Sequence, residues 1–138
     1  MTEQKNQWTA GAHHVGLSVP NLDEAVAFFR DGLGFAPVGA IESYPAAFLS
    51  DGVLMVTLWQ AEKGAEAEPF NRQENLGLHH LAIRTQPGML DELHERLVSR
   101  EDVEIEFAPE NLGSGPTRHM MTLIPGGIRV EFIDPAEA

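Results

Sequence analysis

Gly77-Leu78-His79-His80-Leu81-Ala82-Ile83-Arg84-Thr85 decides the fold, because the chain contains it twice. The near-copy Gly11-Ala12-His13-His14-Val15-Gly16-Leu17-Ser18-Val19 lies 66 residues earlier, with Gly, His and His identical and the large–small–large order after them kept. From Leu81 and from Val15 onward, apolar residues alternate with small or polar ones, the pattern of a half-buried strand. Neighbouring side chains on a strand point to opposite faces. The reading therefore sets His80 on the side of Ala82 and Arg84, and turns His79 to the apolar face or the strand edge. The same holds for His14 and His13.

Working outward, the order of elements also repeats. After the first copy, Asn21 is a helix cap with Glu24 three residues on. Leu22, Ala25, Val26, Phe29 and Leu33 then share one helical face, and Gly32 and Gly34 end it. Three strand-like runs follow, Phe35 to Ile41, Ala46 to Ser50 and Val53 to Gln60, with Asp51-Gly52 as a turn signal. Residues 61–76 are polar and without a period, a surface linker. Its Phe70 is either a lid residue or an ordinary packing contact. The second copy leads through Pro87 to Leu90, Leu93, Leu97 and Val98 at helical spacing. Strands at Val103 to Phe107, Thr117 to Ile124 and Ile128 to Ile133 complete the set, with a loop from Asn111 to Pro116. The last strands of the two halves align at an offset of 74, Gly52 on Gly126 and Thr57 on Glu131.

The fold expected is α+β: two βαβββ modules, 12–60 and 78–134, related by an approximate twofold axis and forming one domain over 12–134. Alternation then sorts the faces. Ile128, Val130 and Phe132 form an apolar side; Arg129, Glu131 and Ile133 form the other. Met55, Thr57 and Trp59 share the face equivalent to that of Glu131. If the polar faces meet in a cleft, His14, His80, Glu131 and Thr57 are its four symmetry-related positions. Two imidazoles and a carboxylate there make a divalent metal site with open coordination positions.

Composition narrows the function classes. A net charge of −12 argues against nucleic acid and anionic membranes as partners. With no Cys there is no thiolate nucleophile and no sulfur-ligated metal. No apolar run approaches the roughly 18 residues that span a bilayer. Met1 to Ala10 is polar and lacks a basic region followed by an apolar stretch, so no leader is expected and a cytoplasmic location is the default.

The run from His14 to Leu22, the helix ending Phe28-Phe29-Arg30-Asp31-Gly32-Leu33-Gly34-Phe35, the strand His80-Leu81-Ala82-Ile83 and the close Pro125-Gly126-Gly127-Ile128-Arg129-Val130-Glu131-Phe132 resemble the vicinal oxygen chelate superfamily. That group contains glyoxalase I, the bleomycin- and fosfomycin-resistance proteins, extradiol dioxygenases and several epimerases. The resemblance implies a metal held by His14, His80 and Glu131, a substrate chelated through two adjacent oxygens, and a homodimer. Nitrogen and oxygen donors suit Fe(II), Mn(II), Ni(II), Co(II) or Zn(II) alike.

No named branch fits throughout. Glyoxalase I carries a Glu where this chain has Thr57, which is no base at neutral pH. The extradiol dioxygenases carry a Tyr on the strand before the Glu ligand; here that strand offers His119 instead. The fosfomycin-resistance proteins carry a basic residue after the last strand, and residues 132–138 contain none. The reading is a metalloenzyme with lyase, isomerase or dioxygenase chemistry on a small oxygenated molecule. The alternative is a protein that sequesters a small molecule without catalysis, as bleomycin-resistance proteins do. Beyond Glu131, His119 and then Tyr44 are the candidate proton-transfer groups. Arg129 and Arg84 either meet an anionic substrate or bridge nearby Glu residues. Trp59 and Met55, flanking Thr57, either wall a ligand site or are plain core.

Overall fold

The structure, a computed structural model, describes residues 7–136. The expectation for the first ten residues falls partly outside that range. Two four-stranded mixed sheets are each backed by one helix. The first contains β1 (His14–Val19), α1 (Leu22–Ala27), β2 (Ala36–Ile41), β3 (Ala46–Ser50) and β4 (Met55–Gln60), with strands ordered β1-β4-β3-β2. The second contains β5 (Leu81–Arg84), α2 (Leu90–Val98), β6 (Glu104–Asn111), β7 (Arg118–Ile124) and β8 (Ile128–Asp134), ordered β5-β8-β7-β6. These are the two βαβββ modules that the repeat predicts.

Register confirms both offsets. The parallel pair β1–β4 sets Gly16 beside Thr57, and the parallel pair β5–β8 sets Ala82 beside Glu131. The turns before the last strands agree as well. Gly52 and Gly126 have φ of +97° and +94°, a left-handed conformation that only glycine adopts without strain.

Each helix joins its sheet through the apolar faces. At the start of α1, Asn21 Oδ1 accepts from the Glu24 N–H at 3.1 Å, as a cap should. The Glu24 carboxylate accepts the Asn21 side-chain amide at 3.0 Å instead of returning to the backbone. Beyond Ala27 the helix widens into a π-helical turn over Phe28–Gly32. The wider turn lets adjacent rings enter the core together. Phe28 and Phe29 are both fully buried, edge to face at 5.3 Å, where a regular helical face would admit Phe29 alone.

The modules share one core. Leu17, Phe28, Phe29, Val56 and Leu58 of the first pack in the same cluster as Ile83, Leu90, Leu97, Val130 and Phe132 of the second. Side chains from α2 and the residues just after it tie the halves together. Arg96 donates to the carbonyls of Gly32 at 2.9 Å and Asp31 at 2.7 Å, closing the C-terminal end of the π-helical turn. The Arg100 guanidinium lies over the Phe28 ring. With the helix-facing sides spent on this core, the opposite face of each sheet is left for chemistry. Among the described residues, no helix is long and apolar enough to cross a membrane.

Two differences from the sequence reading matter for the site. The fifth strand begins at Leu81, not at Leu78, so His79 and His80 precede it in irregular backbone. Strand β6 runs to Asn111, beyond Phe107, and is bulged twice along its pairing with β7. A bulge lets one strand present side chains out of strict alternation.

Candidate metal centre

Glu131 sits in the middle of β8, between Val130 and Phe132, which are turned into the core. Only 9% of Glu131 is exposed, and a carboxylate so placed must be satisfied by partners. Both oxygens have one. His80 Nε2 lies 3.1 Å from Oε1, and His119 Nδ1 lies 2.6 Å from Oε2. His119 reaches Glu131 from β7, where it is paired with Ile133 and its neighbour Met121 with Glu131. The His119 ring rests edge-on against Phe107 at 5.0 Å, which fixes its tilt.

His14 stands at the corresponding place in the first sheet, beside Met55, and is exposed. Within one copy of the chain, His80, Glu131 and His119 come together, and His14 remains with its own sheet. Among the described residues no group of three His, Asp or Glu side chains is arranged in one chain to hold an ion. The donor chemistry nevertheless suits a divalent metal. His80 Nε2 and Glu131 Oε1 are neighbours, one nitrogen and one oxygen, and His14 presents a further imidazole on the equivalent face.

Thr57, equivalent to Glu131, is also buried, but its hydroxyl is engaged elsewhere. It accepts the Trp59 indole N–H at 2.9 Å and faces the Val15 carbonyl at 3.5 Å. Trp59 in turn meets Tyr44 edge to face at 5.0 Å and Phe48 at 6.0 Å. Tyr44 thus belongs to an aromatic wall on the first sheet, together with Trp59. Met55 lies on that same side, one turn of the pleat from Thr57.

The two arginines differ. Arg129 is bound bidentately by Glu106, at 2.9 and 2.7 Å. That bond holds the Glu106 carboxyl below its ordinary range, and the nearby charge of Arg72 adds to the effect. Arg84, at the end of β5 beside Ile133, is exposed and has no ion-pair or hydrogen-bond partner among the described residues.

The sequence reading missed Glu106, Phe107 and Phe48. Glu106 and Phe107 lie on the bulged β6, where simple alternation misplaces side chains. Phe48 was legible, since it stands opposite Thr57 on an alternating strand. His13 and His79 were read as turned away from their neighbours. In the structure each ring touches the next one: Nδ1 to Nδ1 is 2.9 Å for His13–His14 and 2.8 Å for His79–His80.

Over its whole length the chain is 27% identical to a 2-epi-5-epi-valiolone epimerase from Actinomyces sp, of which it covers 87%. It superimposes with a TM-score of 0.79 on a glyoxylase/bleomycin resistance protein/dioxygenase domain from Frankia sp. EAN1pec, at 21% identity and covering 94% of this chain and 95% of that one. A variant of a fosfomycin resistance protein from Listeria monocytogenes, crystallised with Mn(II) and a dihydroxypropylphosphonic acid, matches with a TM-score of 0.73 at 17% identity, covering 92% and 93%. The model of the Glyoxalase/Bleomycin resistance protein/Dioxygenase superfamily matches residues 11–132, so this chain, with its doubled βαβββ module, belongs to that superfamily.

Proposed function

We propose that this protein is a divalent-metal-dependent isomerase or lyase that moves a proton on a small, oxygenated, anionic molecule. The observation that carries the proposal is the buried Glu131 carboxylate held between His80 Nε2 and His119 Nδ1. A protein that only sequesters a ligand has no use for such a costly arrangement. The similarity to an epimerase over the full chain favours isomerisation over oxygen chemistry.

His80 Nε2 and Glu131 Oε1 are the donors from the second module, and His14 Nε2 is the donor from the first. A divalent ion held there supplies Lewis-acid polarisation of two adjacent substrate oxygens. His119 keeps Oε2 of Glu131, which leaves Oε1 for the ion, and its own Nε2 is the atom that holds or moves the substrate proton. Arg84, a guanidinium without a partner among the described residues, takes the anionic group. Tyr44, Trp59, Met55 and Thr57 form the apolar wall opposite, and Arg129, locked to Glu106, shapes the cleft rim.

Because the helix sides of both modules are buried against each other, the cleft faces look outward. The first module of one copy therefore meets the second module of another, and the protein works as a homodimer. This is testable by complementation. His14→Ala and His80→Ala chains are each expected to be inactive and to bind metal poorly. Mixed and reassociated, they should recover about a quarter of the wild-type metal sites, since half the dimers are hybrids and each hybrid has one intact site. No recovery would place all three donors in a single chain. Wild-type protein that binds no divalent metal would sink the proposal itself.

A further inference from the structure

His13 and His79 belong to neither the proposed donor set nor the core, yet their geometry recurs in both modules. In both pairs the ring centroids are 5.1 Å apart and the rings are edge to face, at 82° in one pair and 72° in the other. In both, the closest approach is Nδ1 to Nδ1, at 2.9 and 2.8 Å. Two exposed histidines packed by chance have no reason to choose the same pair of nitrogens twice. A separation of 2.8 to 2.9 Å between ring nitrogens means that one N–H donates to the other's lone pair.

We propose that His13 and His79 are positioning residues, each of which holds Nδ1 of the following histidine so that Nε2 of His14 and of His80 is the atom presented to the metal. The assignment rests on the metal-binding reading above. Its chemistry follows from the tautomers of imidazole. Which nitrogen of a histidine serves as ligand is set by the hydrogen bond that the other nitrogen makes.

Where His80 Nε2 bonds the Glu131 carboxylate, as in the structure, Nε2 carries the proton and Nδ1 must accept one, from His79 Nδ1–H. When Nε2 serves as a ligand it has lost that proton. The N–H of His80 is then at Nδ1, and His79 must accept it. A neighbour that can both give and take at one position is needed. A second imidazole does this by moving its proton between its own two nitrogens, whereas a backbone carbonyl or a carboxylate can only accept.

Two readouts test the assignment. In metal-free protein uniformly labelled with ¹⁵N, a nitrogen–nitrogen coupling across the hydrogen bond is expected between Nδ1 of residues 79 and 80. Its absence would overturn the proposal. For affinity, Zn(II) is titrated in competition with a chromophoric chelator. His79→Phe keeps a ring of similar size but offers no nitrogen, and is expected to weaken Zn(II) by about 10–100-fold, as loss of an outer partner of a metal ligand does. His79→Asn places an amide that can donate or accept near the position of Nδ1, and is expected to restore most of the loss. Wild-type affinity in His79→Phe, or His79→Asn no better than His79→Phe, would refute the role. Should His80→Ala bind Zn(II) as tightly as wild type, the metal reading fails, and the coupling alone decides whether His79 holds His80.

Discussion

Thr57 occupies in the first sheet the place that Glu131 occupies in the second, each beside the third residue of its histidine strand motif, Gly16 or Ala82. One position carries a carboxylate, and the other accepts the Trp59 indole N–H on its hydroxyl. Thr57→Glu restores the symmetry and adds a fourth donor to the proposed site. We expect tighter Zn(II) binding than in wild type, read by chelator competition. Unchanged or weaker binding would mean that Thr57 does not face the ion.

Glu131 and His119 should separate by magnitude. Glu131→Gln removes the carboxylate of the proposed donor set, and is expected to cost more Zn(II) affinity than the roughly 10–100-fold typical of an outer partner. His119→Phe removes only the bond to Oε2 and should fall within that range. Equal effects of the two substitutions would make His119 a ligand in its own right.

Arg96 is a stability residue. Its guanidinium takes the carbonyls of Asp31 and Gly32 from across the module boundary. Arg96→Met keeps the stem and removes both bonds, for a loss of about 1–3 kcal/mol in urea denaturation. Arg96→Lys should recover part of it. No change in the denaturation midpoint would show that the clamp contributes nothing.

Asp134 gives the fold an acid limit. Its carboxylate accepts the backbone N–H groups of Ala136 and Gly88, both at 2.9 Å, which together hold its pKa below the ordinary 3.8. A group whose pKa is depressed by folding stabilises the native state above its unfolded value. That contribution is lost as pH falls from about 3.8 through the folded value. At neutral pH Asp134→Asn should therefore be less stable than wild type, and the gap should close on acidification below that range. A gap independent of pH would assign the effect to packing.

The doubled module was legible because duplication leaves a long-range signal that local propensity does not. Gly11 against Gly77, Gly52 against Gly126 and Thr57 against Glu131 fix both halves without reference to any single element. Burial alternation set Glu131 on the face away from Val130 and Phe132, which are core. Reading failed where the backbone leaves its regular period. The π-helical turn buries Phe28 beside Phe29, and the bulges of β6 bring Glu106 to Arg129 and Phe107 to His119. The late start of β5 at Leu81 frees His79 from strand geometry and lets it meet His80. Each of these is a local departure set by tertiary packing, and no periodicity in the sequence announces it.

The aromatic wall of the first sheet and the polar cluster of the second sit on separate elements, and the two carry different evolutionary freedoms. Trp59 meets both Tyr44 and Phe48 and donates to Thr57, and none of the three rings is bonded to His80, His119 or Glu131. Exchanging those rings for larger or smaller ones reshapes what fits the cleft without disturbing a single donor atom. The first module can therefore alter its wall while its own His14 and the polar cluster of the second module stay as they are.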